Sequence, residues 1–223
     1  MIKIWGRPTS ICTQRALWGL VEAGQPFELT LASATMGPNG HVSKGNVPYG
    51  IVDTPAYRAM NPNSTVPTID DDGFVLWESI AILTYLAGRY APEKLYGSDP
   101  RKLARATQWM LWTGEYLLEP LHVLVMELAR LPEAQRNPAN VEKARLAVLK
   151  PLAVLEEHLG KQPFVAGDAF TLGDIPVACD VQRWLHFDLK RPPMPNITSW
   201  QRRLGVRDGF KRYVAPKEHH LAG

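Results

Sequence analysis

Apolar and polar residues follow two different periods over the first ninety positions and a single one thereafter. Met1 to Trp5 is a short apolar run of strand character, and Gln14 to Ala23 carries helical apolar spacing closed by Gly24 and Pro26. Phe27 to Leu31 alternates residue by residue, the period of a half-buried strand. From Ala32 to Gly50, repeated glycines and prolines break any period, and loops of this length inside a compact unit usually serve a function or move. Thr54-Pro55 places an N-cap before proline at the first helical position and predicts a short helix to Met60. Val66 to Ile69 and Phe74 to Leu76 read as two strands joined by the turn at Asp71-Asp72-Gly73, followed by an apolar helix over Glu78 to Arg89.

Beyond "APEKLYGSDP" the strand period disappears. Arg101 to Leu118, Leu121 to Leu131, Val141 to Leu159, Thr171 to Phe187 and Thr198 to Tyr213 read as helices punctuated by proline, with a kink expected at Pro151. The pattern predicts an α/β unit with a mixed four-stranded sheet over residues 1–90, and an all-helical unit over residues 91–223.

Composition changes this picture little. Of 223 residues, 45% are hydrophobic and 21% charged, and the net charge of +3 is spread over both signs. No nucleic-acid or anionic-membrane partner is called for, and the basic Arg202 to Arg212 stretch reads as a solvated helix face. No apolar run nears the roughly 20 residues of a membrane span, and the start lacks a signal-peptide pattern, so a cytoplasmic location is the expectation. Two cysteines, Cys12 and Cys179, make neither a disulfide framework nor a metal site.

Chemistry gathers in three places. "RPTSICTQRAL" collects Thr9, Ser10, Cys12 and Thr13 ahead of the first helix, where the helix dipole favours negative charge. Thr13 by itself would cap that helix, which leaves Ser10 and Cys12 for other work. Pro67 cannot donate to a ladder, and a cis bond there would turn the Val66 backbone outward to meet an extended peptide. Glu78-Ser79 opens a helix whose free N–H groups suit a carboxylate, while the Glu78 side chain suits an ammonium group. Thr171 to Asp174 has capping-box spacing flanked by Phe170 and Ile175, a structural feature, and Cys179 reads as core.

Taken together, "TVPTI", "WESIAILTYLAGRY" and "FTLGDIPVA", in this order and spacing, resemble the cytosolic glutathione transferases across nearly the whole chain. The resemblance implies a thioredoxin-like N-terminal domain that binds glutathione, a helical domain that shapes a second-substrate pocket, and a homodimer. It places Thr65, Val66 and Pro67 against the cysteinyl part of glutathione, Glu78 and Ser79 at its γ-glutamyl end, and requires no metal. The glycine carboxylate needs a cation, for which His41, Lys44 and Arg58 are candidates.

By position, Ser10 matches the serine of the zeta class and the threonine of the nu class, while Cys12 matches the catalytic cysteine of the beta class. A hydroxyl donor favours conjugation of small hydrophobic electrophiles by the glutathione thiolate. A cysteine favours thiol–disulfide exchange or peroxide reduction. Thr9 is the third candidate donor, and a non-catalytic glutathione- or ligand-binding module is the remaining alternative. Trp109, Trp112, Tyr116, His122 and Met126 share a helical spacing that suits either a pocket wall or an interdomain or dimer core. The second substrate has no signature in the chain.

Overall fold

The computed structural model describes residues 1–33 and 50–221. Strand β1 (Ile2–Gly6) leads through helix α1 (Ile11–Glu22) to β2 (Phe27–Leu31). Helix α2 (Pro55–Met60) precedes the hairpin of β3 (Thr68–Asp71) and β4 (Phe74–Trp77), and α3 (Ser79–Tyr90) completes the run. The sheet order is β2-β1-β3-β4, with β1 parallel to β2 and the other pairings antiparallel, as the alternating pattern and the resemblance led one to expect. The hairpin turns on Asp72 and Gly73, whose φ values of 53° and 88° are the left-handed pair a two-residue hairpin turn requires.

Of the boundaries that differ from the sequence reading, two bear on function. Helix α1 starts at Ile11, one turn before the predicted Gln14, and Ser10 rather than Thr13 is its N-cap. The Thr13 hydroxyl turns back instead and accepts from the Arg7 N–H at 3.4 Å. This close return is open because residue 6 is glycine: a Cβ there would lie 2.5 Å from Thr13 Cγ2. Strand β3 begins only at Thr68, leaving Val66 and the cis Val66-Pro67 bond outside the ladder.

The helical part contains α4 (Pro92–Leu95), α5 (Pro100–Tyr116), α6 (Leu118–Val125) continued by a π turn at Met126–Arg130, α7 (Pro138–Leu159), α8 (Asp174–His186), α9 (Pro195–Leu204) and α10 (Glu218–Leu221). Helix α7 continues through Pro151. The single helix expected over Thr198 to Tyr213 is divided, because α9 stops at Leu204 and helical backbone resumes only at Asp208. A Cβ on Gly209 would lie 2.1 Å from the Trp18 ring, so that close packing needs glycine. No helix among the described residues is long and apolar enough to cross a membrane.

One continuous core joins the sheet side to the helices. Leu17, Trp18 and Leu20 of α1 and Ile82, Leu83 and Leu86 of α3 are fully buried, each aliphatic side chain contributing about 2 kcal/mol of burial. Polar ties fix α1 to the later helices. Arg15 Nη2 reaches both Asp180 oxygens of α8 at 2.9 Å, in full burial. Burial opposes the Arg15 charge, but the adjacent Asp180 carboxylate outweighs it and holds the guanidinium above its ordinary pKa. Glu22 accepts from Arg207 through both carboxylate oxygens at 2.7 Å and from Trp18 Nε1 at 2.9 Å.

Ahead of α8 the capping-box spacing is realised. Asp174 Oδ2 accepts from the Thr171 N–H at 2.9 Å, and Thr171 Oγ1 accepts from the Gly173 N–H at 3.2 Å. Asp174 Oδ1 also receives the Val165 N–H and the Trp200 indole N–H, so one buried carboxylate gathers three segments.

Candidate active site

Two helix N-termini meet at one cavity of about 410 Å³. Ser10, Ile11 and Cys12, from the start of α1, form one wall. Glu78 and Ser79, from the start of α3, form another, with Thr65, Val66 and Pro67 beside them. Leu118, Leu121, His122 and Val125 close the helical side. The Ile11 and Cys12 N–H groups precede the first α1 ladder bond, made by Gln14 to Ser10, so the positive end of the helix points at the cavity. The same holds for α3, whose first ladder bond joins the Ile82 N–H to the Glu78 carbonyl.

Ser10 is half-buried, and its Oγ accepts from the Thr13 N–H at 3.4 Å. That bond occupies a lone pair and leaves the hydroxyl proton for a ligand. Cys12, one residue into α1, is also half-buried. Thr9 does not line the cavity. Its hydroxyl accepts from Arg7 Nη1 at 2.6 Å and its carbonyl from Arg183 Nη2 at 3.0 Å. These two arginines hold the turn that presents Ser10.

The peptide-like wall is braced from beneath. The Tyr57 hydroxyl donates to the Thr65 carbonyl at 2.7 Å, and Asn61 Nδ2 donates to the same oxygen at 3.0 Å. Both side chains are buried and also contact Thr68 Oγ1, at 2.8 and 3.1 Å. The Val66 N–H and C=O have no partner among the described residues. Glu78 holds a φ of 70°, a left-handed conformation costing a non-glycine residue about 1–3 kcal/mol, and its side chain is exposed at the cavity edge. Ser79 is buried at 3% exposure.

Several contributors carry no local sequence signal. Arg7, Ser33, Arg130, Asp180 and Arg183 all reach the cavity, three of them from helices more than a hundred residues away. Burial brings Arg183 down to about 10, and its Nη2 further contacts the His219 carbonyl at 3.4 Å. Gln14 Nε2 reaches the same carbonyl at 3.3 Å, so the C-terminal segment closes behind the site. His220, stacked on His186, is held by burial near 3 and stays neutral.

Of the aromatic series, His122 lines the cavity, whereas Trp109 packs in the core against Trp112 and the His158 ring. Arg58 lies outside the cavity lining, exposed, 3.6 Å from Asp53. His41 and Lys44 lie outside the described residues. Burial pushes the Cys179 thiol up, which suits an inert core position. Among the described residues no group of three or more metal-ligating side chains occurs.

Comparison with known proteins gives this arrangement a context. Residues 9–89 match the family described as glutathione S-transferase, N-terminal domain, and residues 118–207 match glutathione S-transferase, C-terminal domain. The chain is 31% identical over 216 residues to glutathione S-transferase GstB of Escherichia coli K12, covering 96% of this chain and 98% of that protein. It superposes on the theta class glutathione S-transferase of Xanthomonas axonopodis pv. citri, solved with glutathione bound, with a TM-score of 0.86 and 36% identity over 96% of this chain and 97% of that one. A delta-class glutathione transferase of Nilaparvata lugens gives a TM-score of 0.80 at 27% identity, over 99% of this chain and 95% of that one. With a thioredoxin-like sheet unit, a helical partner and both family halves matched in order, the chain belongs to the glutathione S-transferase family.

Proposed function

We propose that this enzyme conjugates glutathione to small hydrophobic electrophiles, with Ser10 and the α1 N-terminus stabilising the thiolate. One observation carries the reading: two helix N-termini and the Val66 backbone, which has no hydrogen bond among the described residues, open on the same cavity. Glutathione matches that set group by group. Its γ-glutamyl carboxylate suits the Ser79 hydroxyl and the α3 dipole, its ammonium suits Glu78, and its extended middle suits the Val66 N–H and C=O. Thr65 and Pro67 hold Val66 in place. The free thiol has a pKa of about 8.5. A hydrogen bond from the Ser10 hydroxyl, together with the positive helix end, lowers it toward neutrality. The thiolate then attacks the electrophilic carbon, the C–S bond forms, and a leaving group departs with its electron pair.

Cys12 supports a second reading, glutathione-dependent thiol–disulfide exchange, because it faces the same cavity from the first turn of α1. The measurement that separates them is the thiol pKa of bound glutathione in wild type, Ser10→Ala and Cys12→Ala. A depression lost only in Ser10→Ala supports the hydroxyl donor, and a pKa near the free value in wild type refutes it. Disulfide-substrate turnover undiminished in Cys12→Ser excludes the exchange reading.

Family membership supports a homodimer and a cytoplasmic setting, and residues 1–90 and 91–223 as the two domains. Phe74 and Val75 stand exposed on the edge strand β4, as a subunit contact would require.

A further inference from the structure

We propose that the electrophile carries a carboxylate or similar anionic group, and that Arg130 receives it. The inference rests on the glutathione reading above and adds the class of the second substrate. Arg130 closes the π turn after α6 and lines the cavity half-buried. Its guanidinium has neither an ion pair nor a hydrogen bond among the described residues. Burial lowers its pKa.

The acids in the same wall are already placed. Asp180 is bound to Arg15, and Glu78 stands at the α3 edge. Arg183, the neighbouring cation, is engaged by the Thr9 and His219 carbonyls. Arg130 lies near enough to Arg183 for the two positive charges to oppose each other. Both arginines line the same cavity, and Arg183 grips the Thr9 carbonyl beside Ser10. An anion arriving there relieves the repulsion and supplies the partner Arg130 lacks. Leu121 and Val125, on the run that leads to Arg130, offer an apolar surface for the body of the same molecule.

The test compares two aryl chlorides that differ in one group, 1-chloro-2,4-dinitrobenzene and 4-chloro-3-nitrobenzoate. In each, the thiolate bonds to the chlorine-bearing carbon, chloride leaves with the bonding pair, and the thiol proton passes to solvent. In Arg130→Gln the ratio of kcat/KM for the benzoate to that for the neutral compound should fall about ten- to a hundred-fold, and Arg130→Lys should restore much of it. The neutral compound reports folded enzyme within the same comparison. An unchanged ratio overturns the assignment, as does a raised KM for glutathione with the ratio preserved. It is equally overturned by wild type that turns over the neutral compound but neither turns over the benzoate nor is inhibited by 3-nitrobenzoate. Wild type inactive on both compounds refutes the transferase reading instead. Calorimetric binding of 3-nitrobenzoate, lost in Arg130→Gln or retained, then decides the role of Arg130.

Discussion

The Thr13 N–H donates to Ser10 Oγ at 3.4 Å, so the residue that caps α1 is also the hydroxyl at the cavity. The two roles coexist because the cap uses a lone pair and the proposed thiolate contact uses the proton. Ser10→Ala removes both. The expected outcome is a ten- to hundred-fold loss of kcat/KM, on the order of one charge-assisted hydrogen bond. Chemical denaturation should show an accompanying stability loss of about 1 kcal/mol for the cap. A loss of stability with full activity would leave Ser10 a cap alone.

Tyr57 touches the cavity only through Thr65, whose carbonyl it holds at 2.7 Å. Tyr57→Phe should therefore raise the KM for glutathione about three- to ten-fold, the range of one neutral hydrogen bond, with kcat little changed. Steady-state kinetics at saturating electrophile measures the split. A fall in kcat with constant KM would contradict a positioning role.

Glu22 ties α1 to the C-terminal helices. Burial would raise its pKa, but hydrogen bonds from Arg207, Trp18 and Lys94 outweigh it and bring the carboxyl down to about 2 from 4.5. A folded-state pKa below the unfolded one stabilises the protein above pH 4.5, and that contribution is lost as pH falls toward 2. Denaturation midpoints of wild type and Glu22→Gln should differ at pH 6 and converge over that acid window.

Asp174 has the opposite sign. Complete burial lifts its carboxyl to about 6 from 3.8, despite hydrogen bonds from Val165, Thr171 and Trp200. Its contribution is therefore full below pH 3.8 and declines as pH rises to about 6. Asp174→Asn turns an N–H toward one of the donors now satisfied and should cost about 3 kcal/mol, read as a lower Tm.

Local patterning made much of this legible. The Asp72-Gly73 turn, the Thr54-Pro55 helix start, and the proline that keeps Val66 out of β3 each follow from a residue's own backbone chemistry. Ser79 stands at a predicted helix start, and Ser10 lies just ahead of one. Boundaries set by contact were not visible. Helix α1 gains its first turn from the Ser10 cap and the Gly6–Thr13 approach, and Gly209 is needed where the chain packs against the Trp18 ring.

By itself the sequence determined the elements, the β-α-β order, and which stretches bear hydroxyl, thiol or free N–H groups, because periodicity, capping and proline geometry act over a few residues. Only the tertiary structure decided that Arg15 pairs with Asp180, that Arg183 grips the Thr9 carbonyl, and that Arg130 lines the cavity. Asp180, Arg183 and Arg130 lie more than a hundred positions from α1 along the chain. Their meeting depends on how the core closes, which no local pattern encodes.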